Sequence, residues 1–210
     1  MDAQAWDERY AGTELVWTAG PNRWVVELVQ DLPPGRALDL AAGEGRNAIW
    51  LAEHGWQVDA LDFSTVAVHR MEQLADERLD VGRDRLRSWV GDATVPFPEA
   101  DEGGYDLVLT CYLHLPEDAF RQVMESALRA LAPGGRLLVI GHALTNLERG
   151  HGGPQDAAVL YEPEDVVDVL ALRPADVVVD VELAEHRHRP VEDAGRDAVD
   201  TVVLAVRRDG

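Results

Sequence analysis

The sequence predicts an α/β domain: an open, doubly wound, mostly parallel sheet of seven strands with a C-terminal antiparallel hairpin. Three observations predict it. From Gly35 onward, short apolar runs alternate with helix-length stretches, the order that builds a parallel sheet covered on both faces. An apolar run, Ala37-Leu38-Asp39-Leu40, enters a small-residue turn, Ala41-Ala42-Gly43-Glu44-Gly45, and leaves as a helix from Asn47. Two late strand-like runs, 177–183 and 198–206, flank a polar turn, an antiparallel addition common in such sheets.

Composition fits that reading. At 210 residues the chain can bury a full core, and its 46% hydrophobic and 28% charged residues are those of a globular protein. The net charge of −20 repels phosphate backbones, so no nucleic-acid partner is expected. No apolar stretch approaches a membrane span and Met1-Asp2-Ala3-Gln4 lacks a basic signal start, so no membrane partner is expected. The one cysteine, Cys111, excludes an internal disulfide and a cysteine-cluster metal site. A cytoplasmic setting, no metal, and a monomer or homodimer are the expectations.

Taken in order, residues 1–34 are expected to form a helical cap and residues 35–210 one structural domain. Trp6 and Tyr10 share a helical face, Trp17 follows, and Pro21 opens a helix bearing Trp24, Val25, Leu28 and Val29. Strand one ends near Leu40 and its helix stops at His54-Gly55. Strand two, 57–61, leads to Asp62-Phe63-Ser64, with Ser64 the N-cap of a helix to about Arg78. Strand three spans 86–90 and ends in Gly91-Asp92-Ala93. Strand four is 105–110, a helix covers 117–131, and Pro133-Gly134-Gly135 stops it before strand five, 136–140. Residues 142–161 form a long, Gly-rich loop, a kind of segment that is commonly functional. Pro163 opens a short helix before the hairpin.

The central turn exposes backbone to a ligand, and the helix behind it offers unpaired N–H groups. Gly43-Glu44-Gly45-Arg46-Asn47-Ala48 satisfies a dinucleotide pattern, with Asp62 at a fitting distance. Charge argues otherwise: Asp39 precedes the turn and Glu44 lies inside it, a setting that favours an ammonium and a sulfonium over a pyrophosphate. S-adenosylmethionine therefore suits the turn better than NAD. Here the sequence resembles class I S-adenosylmethionine-dependent methyltransferases, and within them the small enzymes akin to tellurite-resistance and thiopurine methyltransferases. Leu38-Asp39-Leu40, Gly43-Glu44-Gly45-Arg46-Asn47-Ala48, Trp50-Leu51-Ala52, Gly55 and Asp62-Phe63-Ser64 carry the resemblance. It departs at Ala41, where the family has its first turn glycine; a positive φ there would be strained.

The resemblance implies a Rossmann-like fold and assigns roles by position. Asp39, Ala41 and Gly43 hold the amino-acid end of the cofactor, and Asp62 accepts both ribose hydroxyls or serves as a helix-start charge. Phe63 packs on the adenine or in the core. Asp92 and the Ala93 N–H meet adenine, unless Asp92 only shapes a turn. Arg46 pairs with the cofactor carboxylate or with an internal acid. The Cys111 backbone contacts the methionyl amino group.

Toward the acceptor, His114 and His142 are the candidate bases, because imidazole titrates near working pH. Tyr112 and Asn146 lie beside them in sequence and are candidate substrate contacts. Tyr10 and Trp17 suit a lid, with Tyr10 toward substrate and Trp17 toward the sulfonium. His151, His186 and His188 are expected at the surface. The expected activity is methyl transfer to a small-molecule acceptor, a thiol or otherwise an oxygen nucleophile, with S-adenosylhomocysteine as product. The alternatives are a non-catalytic binder of the same cofactor and an NAD-dependent oxidoreductase.

Overall fold

The computed structural model describes residues 7, 8, 10, 20–95, 104–172, 174–192 and 194–208. Trp6 and Trp17 lie outside the described residues. The chain divides into two compact units, Met1–Ala93 and Thr94–Gly210.

In the first unit, α1 (Arg23–Val29) starts at Asn22, whose side chain accepts the Trp24 N–H. Pro21 therefore precedes the cap and does not occupy the first helical turn expected for it. The cap in turn is clipped to the next helix, because the Asn22 N–H donates to the Asn47 side chain at 2.8 Å. Then follow β1 (Arg36–Leu40), α2 (Arg46–Glu53), β2 (Gln57–Asp62), α3 (Thr65–Arg78) and β3 (Leu86–Val90). Of the eight residues of α2, Asn47 to Ala52 are all buried, which explains its run of small and apolar residues. Ser64 caps α3 as its position predicts, its hydroxyl accepting the Ala67 N–H.

β1 and β2 run parallel, as do β2 and β3, with Leu40 opposite Leu61 and Asp62 opposite Val90. The three strands thus end together, at the carboxyl edge where open α/β sheets bind ligands. A charge ladder crosses them. Buried Asp59 on β2 receives two hydrogen bonds from Arg87 of β3, at 2.9 and 3.0 Å, and stands 3.6 Å from Arg36 of β1.

The second unit contains β4 (Tyr105–Cys111), α4 (Glu117–Ala130), β5 (Leu131–His142), α5 (Asn146–Arg149), α6 (Pro163–Ala171), β6 (Val179–Arg189) and β7 (Ala198–Arg207). β4 and β5 are parallel, and β7 lies antiparallel between β5 and β6. With β3-β2-β1 in the first unit and β4-β5-β7-β6 in the second, the sheet is seven-stranded and mixed, the Rossmann-like α/β architecture expected. α4 buries Phe120, Val123, Met124, Ala127 and Leu128 on one stripe, with Glu117 and Asp118 at its positive end and Arg129 at its negative end.

Two strands differ from expectation. β5 starts at Leu131, not at Arg136, because Pro133-Gly134-Gly135 is absorbed as an irregularity inside the strand. Its register jumps from Leu131 to Arg136 while β4 advances from Tyr105 to Leu107. Gly134 takes φ 77°, and a Cβ on Gly135 would stand 2.5 Å from the Tyr105 carbonyl. β6 runs to Arg189, so His186 and His188 lie on a strand and not in the turn. Its polar sequence hid it, and the polarity follows from its place at the sheet edge. His186 is held there by the Glu162 carboxylate.

Among the described residues no helix is long and apolar enough to cross a membrane, and no cluster of three or more His, Cys, Asp or Glu could hold a metal.

Candidate functional site

The turn after β1 is fixed by its own backbone. The Ala42 N–H donates to the Leu61 carbonyl at 2.9 Å, and the Gly45 N–H returns to the Ala42 carbonyl at 3.0 Å. Ala41, Gly43 and Gly45 all have positive φ, at 60°, 58° and 80°. Gly45 is the N-cap of α2 and brings no side chain to it, so the helix start stays open. A Cβ there would lie 2.2 Å from Met71 Cγ, so both φ and space demand glycine.

Three carboxylates surround this turn, and each is in a different state. Asp62, at the end of β2, is buried and braces the turn. Its Oδ2 accepts the Gly43 N–H and its Oδ1 the Ser64 N–H, both at 2.9 Å. Burial raises its pKa, these two N–H groups pull it down, and Asp7 raises it further. Each oxygen keeps a lone pair for another donor. Glu44 is buried but compensated by Arg70 at 2.8 Å. Asp39 is different: it is 1% exposed, and neither carboxylate oxygen has a hydrogen-bond partner. Burial pushes its pKa up to about 8, against the lowering charge of Arg46, and Asp62 adds to the rise.

This changes the electrostatic reason for preferring a cation. Glu44 is balanced by its arginine, and Asp39 is largely neutral at pH 7 without a ligand. The Ala48 N–H and the Arg46 charge oppose that burial only in part, and neither Asp39 oxygen has a donor in full hydrogen-bond geometry. An ammonium supplies such donors, and a pyrophosphate, all acceptors, does not.

At the end of β3 the Gly91 N–H donates to the Asp62 carbonyl at 2.9 Å, which brings Asp92 and Ala93 next to Asp62 along the strand ends. Asp92 is exposed, Ala93 is nearly buried and Phe63 is half-buried. Tyr10 is buried in this unit, at 3% exposure.

In the second unit a polar cluster forms at the ends of β4 and β5. Cys111 closes β4, half-buried. Tyr112 follows with φ 61°, its N–H donating to the Ile140 carbonyl at 2.7 Å. The Tyr112 hydroxyl donates to Asp200 Oδ2 at 2.9 Å, and Arg189 Nε donates to the same carboxylate oxygen at 2.9 Å and to the phenol oxygen at 3.0 Å. Asp200 is wholly buried at the start of β7, opposite His142 in the β5–β7 register. His142 Nδ1 lies 3.5 Å from Asp200 Oδ1 and is enclosed without a hydrogen-bond partner.

His114 stacks on His142, ring centres 5.5 Å apart. Both its nitrogens are engaged: Nδ1 with the Val159 carbonyl at 3.2 Å, and Nε2 with the His142 N–H at 3.4 Å. These partners require the neutral ring with its proton on Nδ1. Burial, then the neighbouring His142, takes its pKa down to about 4. Burial also lowers His142, with Asp200 opposing and Arg189 assisting. Asn146 is buried, its Oδ1 accepting the Val199 N–H and its Nδ2 donating to the Gly152 carbonyl, both at 2.8 Å. It ties the long loop to β7.

Residues 37–135 match a family model described as a methyltransferase domain. The chain has the class I methyltransferase fold. It is 33% identical to the demethylmenaquinone methyltransferase of Clavibacter sepedonicus over 129 residues, covering 61% of this chain and 48% of that protein. The chain thus spans about half the length of the curated relatives it matches. Three solved structures are similar in fold. One, from work on conversion of a disulfide bond into a thioacetal group during echinomycin biosynthesis, has TM-score 0.74 at 20% identity, covering 98% of this chain and 92% of its own. TehB from Haemophilus influenzae has TM-score 0.68 at 15% identity, covering 91% and 64%. The magnesium protoporphyrin IX methyltransferase ChlM from Synechocystis PCC 6803 with bound S-adenosylmethionine has TM-score 0.60 at 20% identity, covering 99% and 79%.

The methyltransferase family uses S-adenosylmethionine. The first unit gathers Asp39, Ala41, Gly43, Arg46, Asp62, Phe63, Asp92 and Ala93 at or just past the ends of three adjacent strands. The second gathers Tyr112, His114 and His142. Sequence reasoning missed Asp200 and Arg189, which organise that second cluster. Asp200 sits in an apolar strand run, and only its fully buried position marks it as more than a strand-end charge.

The strain anticipated at Ala41 is present in its φ. Ala41→Gly should relieve about 1 kcal/mol, offset in part by the looser unfolded chain, and raise the melting temperature by about 2 °C. Calorimetric melting checks it; a lower melting temperature would mean that the alanine methyl contributes packing that outweighs its φ.

Proposed function

We propose that this methyltransferase domain binds S-adenosylmethionine in its first unit and transfers the methyl group to a small-molecule thiol. The observation that carries the first half is Asp39, a buried carboxylate with two unpartnered oxygens beside a turn that only small residues can make. An ammonium at Asp39 restores the charged form that burial suppresses. The remaining lone pairs of Asp62 accept the ribose hydroxyls, the Gly43–Gly45 backbone lies open to the amino-acid end, and Asp92 with the Ala93 N–H serves adenine. The bound cofactor supplies an electrophilic methyl on a sulfonium. Residues 1–34, with Tyr10 and Trp17, act as a cap.

The thiol half rests on how little base strength the second unit offers. His114 has both nitrogens committed and His142 is weakened by burial. A thiol, ionising near pH 8.5, needs only a weak base such as a half-buried imidazole, whereas an alcohol needs a stronger one. The structural neighbour connected with disulfide-to-thioacetal conversion is in keeping with sulfur chemistry on this fold.

Calorimetric titration with S-adenosylmethionine, S-adenosylhomocysteine and NAD tests the cofactor. The first two should bind and NAD should give no heat of binding; the reverse pattern overturns the reading. A panel of thiol, phenol and amine acceptors with methyl-labelled cofactor tests the second half. Label confined to oxygen or nitrogen products would remove the thiol.

A further inference from the structure

Asp200 is a carboxylate placed where a strand of this kind normally carries an apolar residue. It is 0% exposed and is flanked on β7 by buried Val199 and Thr201. Burial of a charge is costly unless its partners are fixed, and three side chains converge on this one. Tyr112 and Arg189 satisfy Oδ2 and Arg189 Nη2 reaches Oδ1 at 3.4 Å, while His142 Nδ1 stands 3.5 Å from Oδ1. That Nδ1 is enclosed without a hydrogen-bond partner, and the Asp200 carboxylate is the acceptor that stands beside it.

The His142 side chain keeps 12% of its surface exposed. Gly153 packs against the ring: a Cβ there would stand 2.7 Å from Cδ2 and 3.0 Å from Nε2 of His142, so any other residue would collide with it. Gly153 also takes φ 78°, which reserves the position for glycine a second time. The ionisable groups that face the ring are Tyr112 and His114 from the segment after β4, Arg189 from β6 and Asp200 from β7. His114 cannot substitute for His142, because it has no free lone pair.

We propose that Asp200 is a positioning residue: it accepts the Nδ1–H of His142 and leaves the Nε2 lone pair to take the proton of the methyl acceptor. Arg189 and Tyr112 hold the carboxylate for that purpose. This rests on the methyl-transfer reading above. In the step, the acceptor X–H bond gives its proton to Nε2 and its electron pair stays on X, which bonds to the methyl carbon as the sulfonium's carbon–sulfur bond breaks and leaves its electron pair on sulfur. His142 becomes an imidazolium whose Nδ1 proton faces Asp200, and it then returns the proton taken at Nε2 to solvent. The arrangement also separates the two histidines that sequence alone left equivalent.

The test reads the ring directly and needs no acceptor. In protein labelled with nitrogen-15 histidine, the His142 signal is assigned by its loss in His142→Gln. NMR should then show the proton on Nδ1 and a bare Nε2 at pH 7.5. In Asp200→Asn that tautomer preference should collapse and the His142 pKa should fall by about one unit. Arg189→Gln, at a part-exposed residue, serves if Asp200→Asn does not fold; it should raise the His142 pKa by about one unit by removing a nearby cation. A merely structural Asp200 would lower the melting temperature and leave tautomer and pKa unmoved. Finding the proton on Nε2 in the unaltered protein, or no shift in either variant, overturns the proposal. Calorimetry with S-adenosylmethionine on the same samples keeps the two readings apart. Loss of cofactor binding would remove the methyl-transfer reading and leave the tautomer result standing.

Discussion

Asp39→Asn is expected to cost about 100-fold in affinity for S-adenosylmethionine while making the ligand-free protein more stable. Both effects follow from one buried, unpartnered carboxylate. The loss corresponds to about 2.7 kcal/mol, within the range for deleting one partner of a buried charge pair. The stability gain depends on pH in a defined direction. The folded Asp39 holds its proton up to about pH 8, whereas the unfolded chain loses it near 4. Between those values the folded state binds more protons than the unfolded state, so its stability drops with rising pH. Asparagine has no such dependence. The two proteins should therefore melt alike near pH 4, and the variant should melt progressively higher towards pH 8. Calorimetric melting across that range, with cofactor titrations at pH 7, measures both; equal melting at every pH would show that Asp39 is charged in the free protein.

Gly45→Ala should lower the melting temperature by roughly 5–15 °C and abolish cofactor binding. The cost has two parts: about 1–2 kcal/mol for an alanine at φ 80°, and about 1–3 kcal/mol for a methyl 2.2 Å from Met71 Cγ in a fully buried site. A second substitution separates them. Met71→Ala in the Gly45→Ala background removes the collision but not the dihedral strain, so the double variant should lose less than the two single effects combined. Simple additivity would show that Met71 moves aside freely and that the strain is in the backbone alone.

How far the sequence reaches can be seen residue by residue. The strand–helix alternation, the Ser64 cap and the carboxyl-edge position of Asp39 and Asp62 were legible, because each rests on local pattern: apolar runs, a capping hydroxyl, a small-residue turn. The charge state at the turn was not. Glu44 reads as a free acid beside the ligand, yet it is neutralised by Arg70, a partner 26 positions away that no local pattern reveals. His114 and His142 look alike in sequence, and their difference comes from backbone groups of other segments. Asn146 reads as a polar loop residue near substrate, and its amide is spent holding its own loop. β6 was underestimated for a related reason: an edge strand has one neighbour and little apolar demand, so its composition resembles a turn.

The ladder of Arg36, Asp59 and Arg87 has a bearing on how the first unit assembles. If β2 slid by one residue against its neighbours, every side chain on it would change face. Asp59 would then meet apolar packing without either guanidinium, a mispairing disfavoured by several kcal/mol. Asp62, three residues onward, would turn away from Gly43 in the same slip. An ion triplet inside the sheet thus acts as an alignment key, rejecting offset pairings while the chain is still folding.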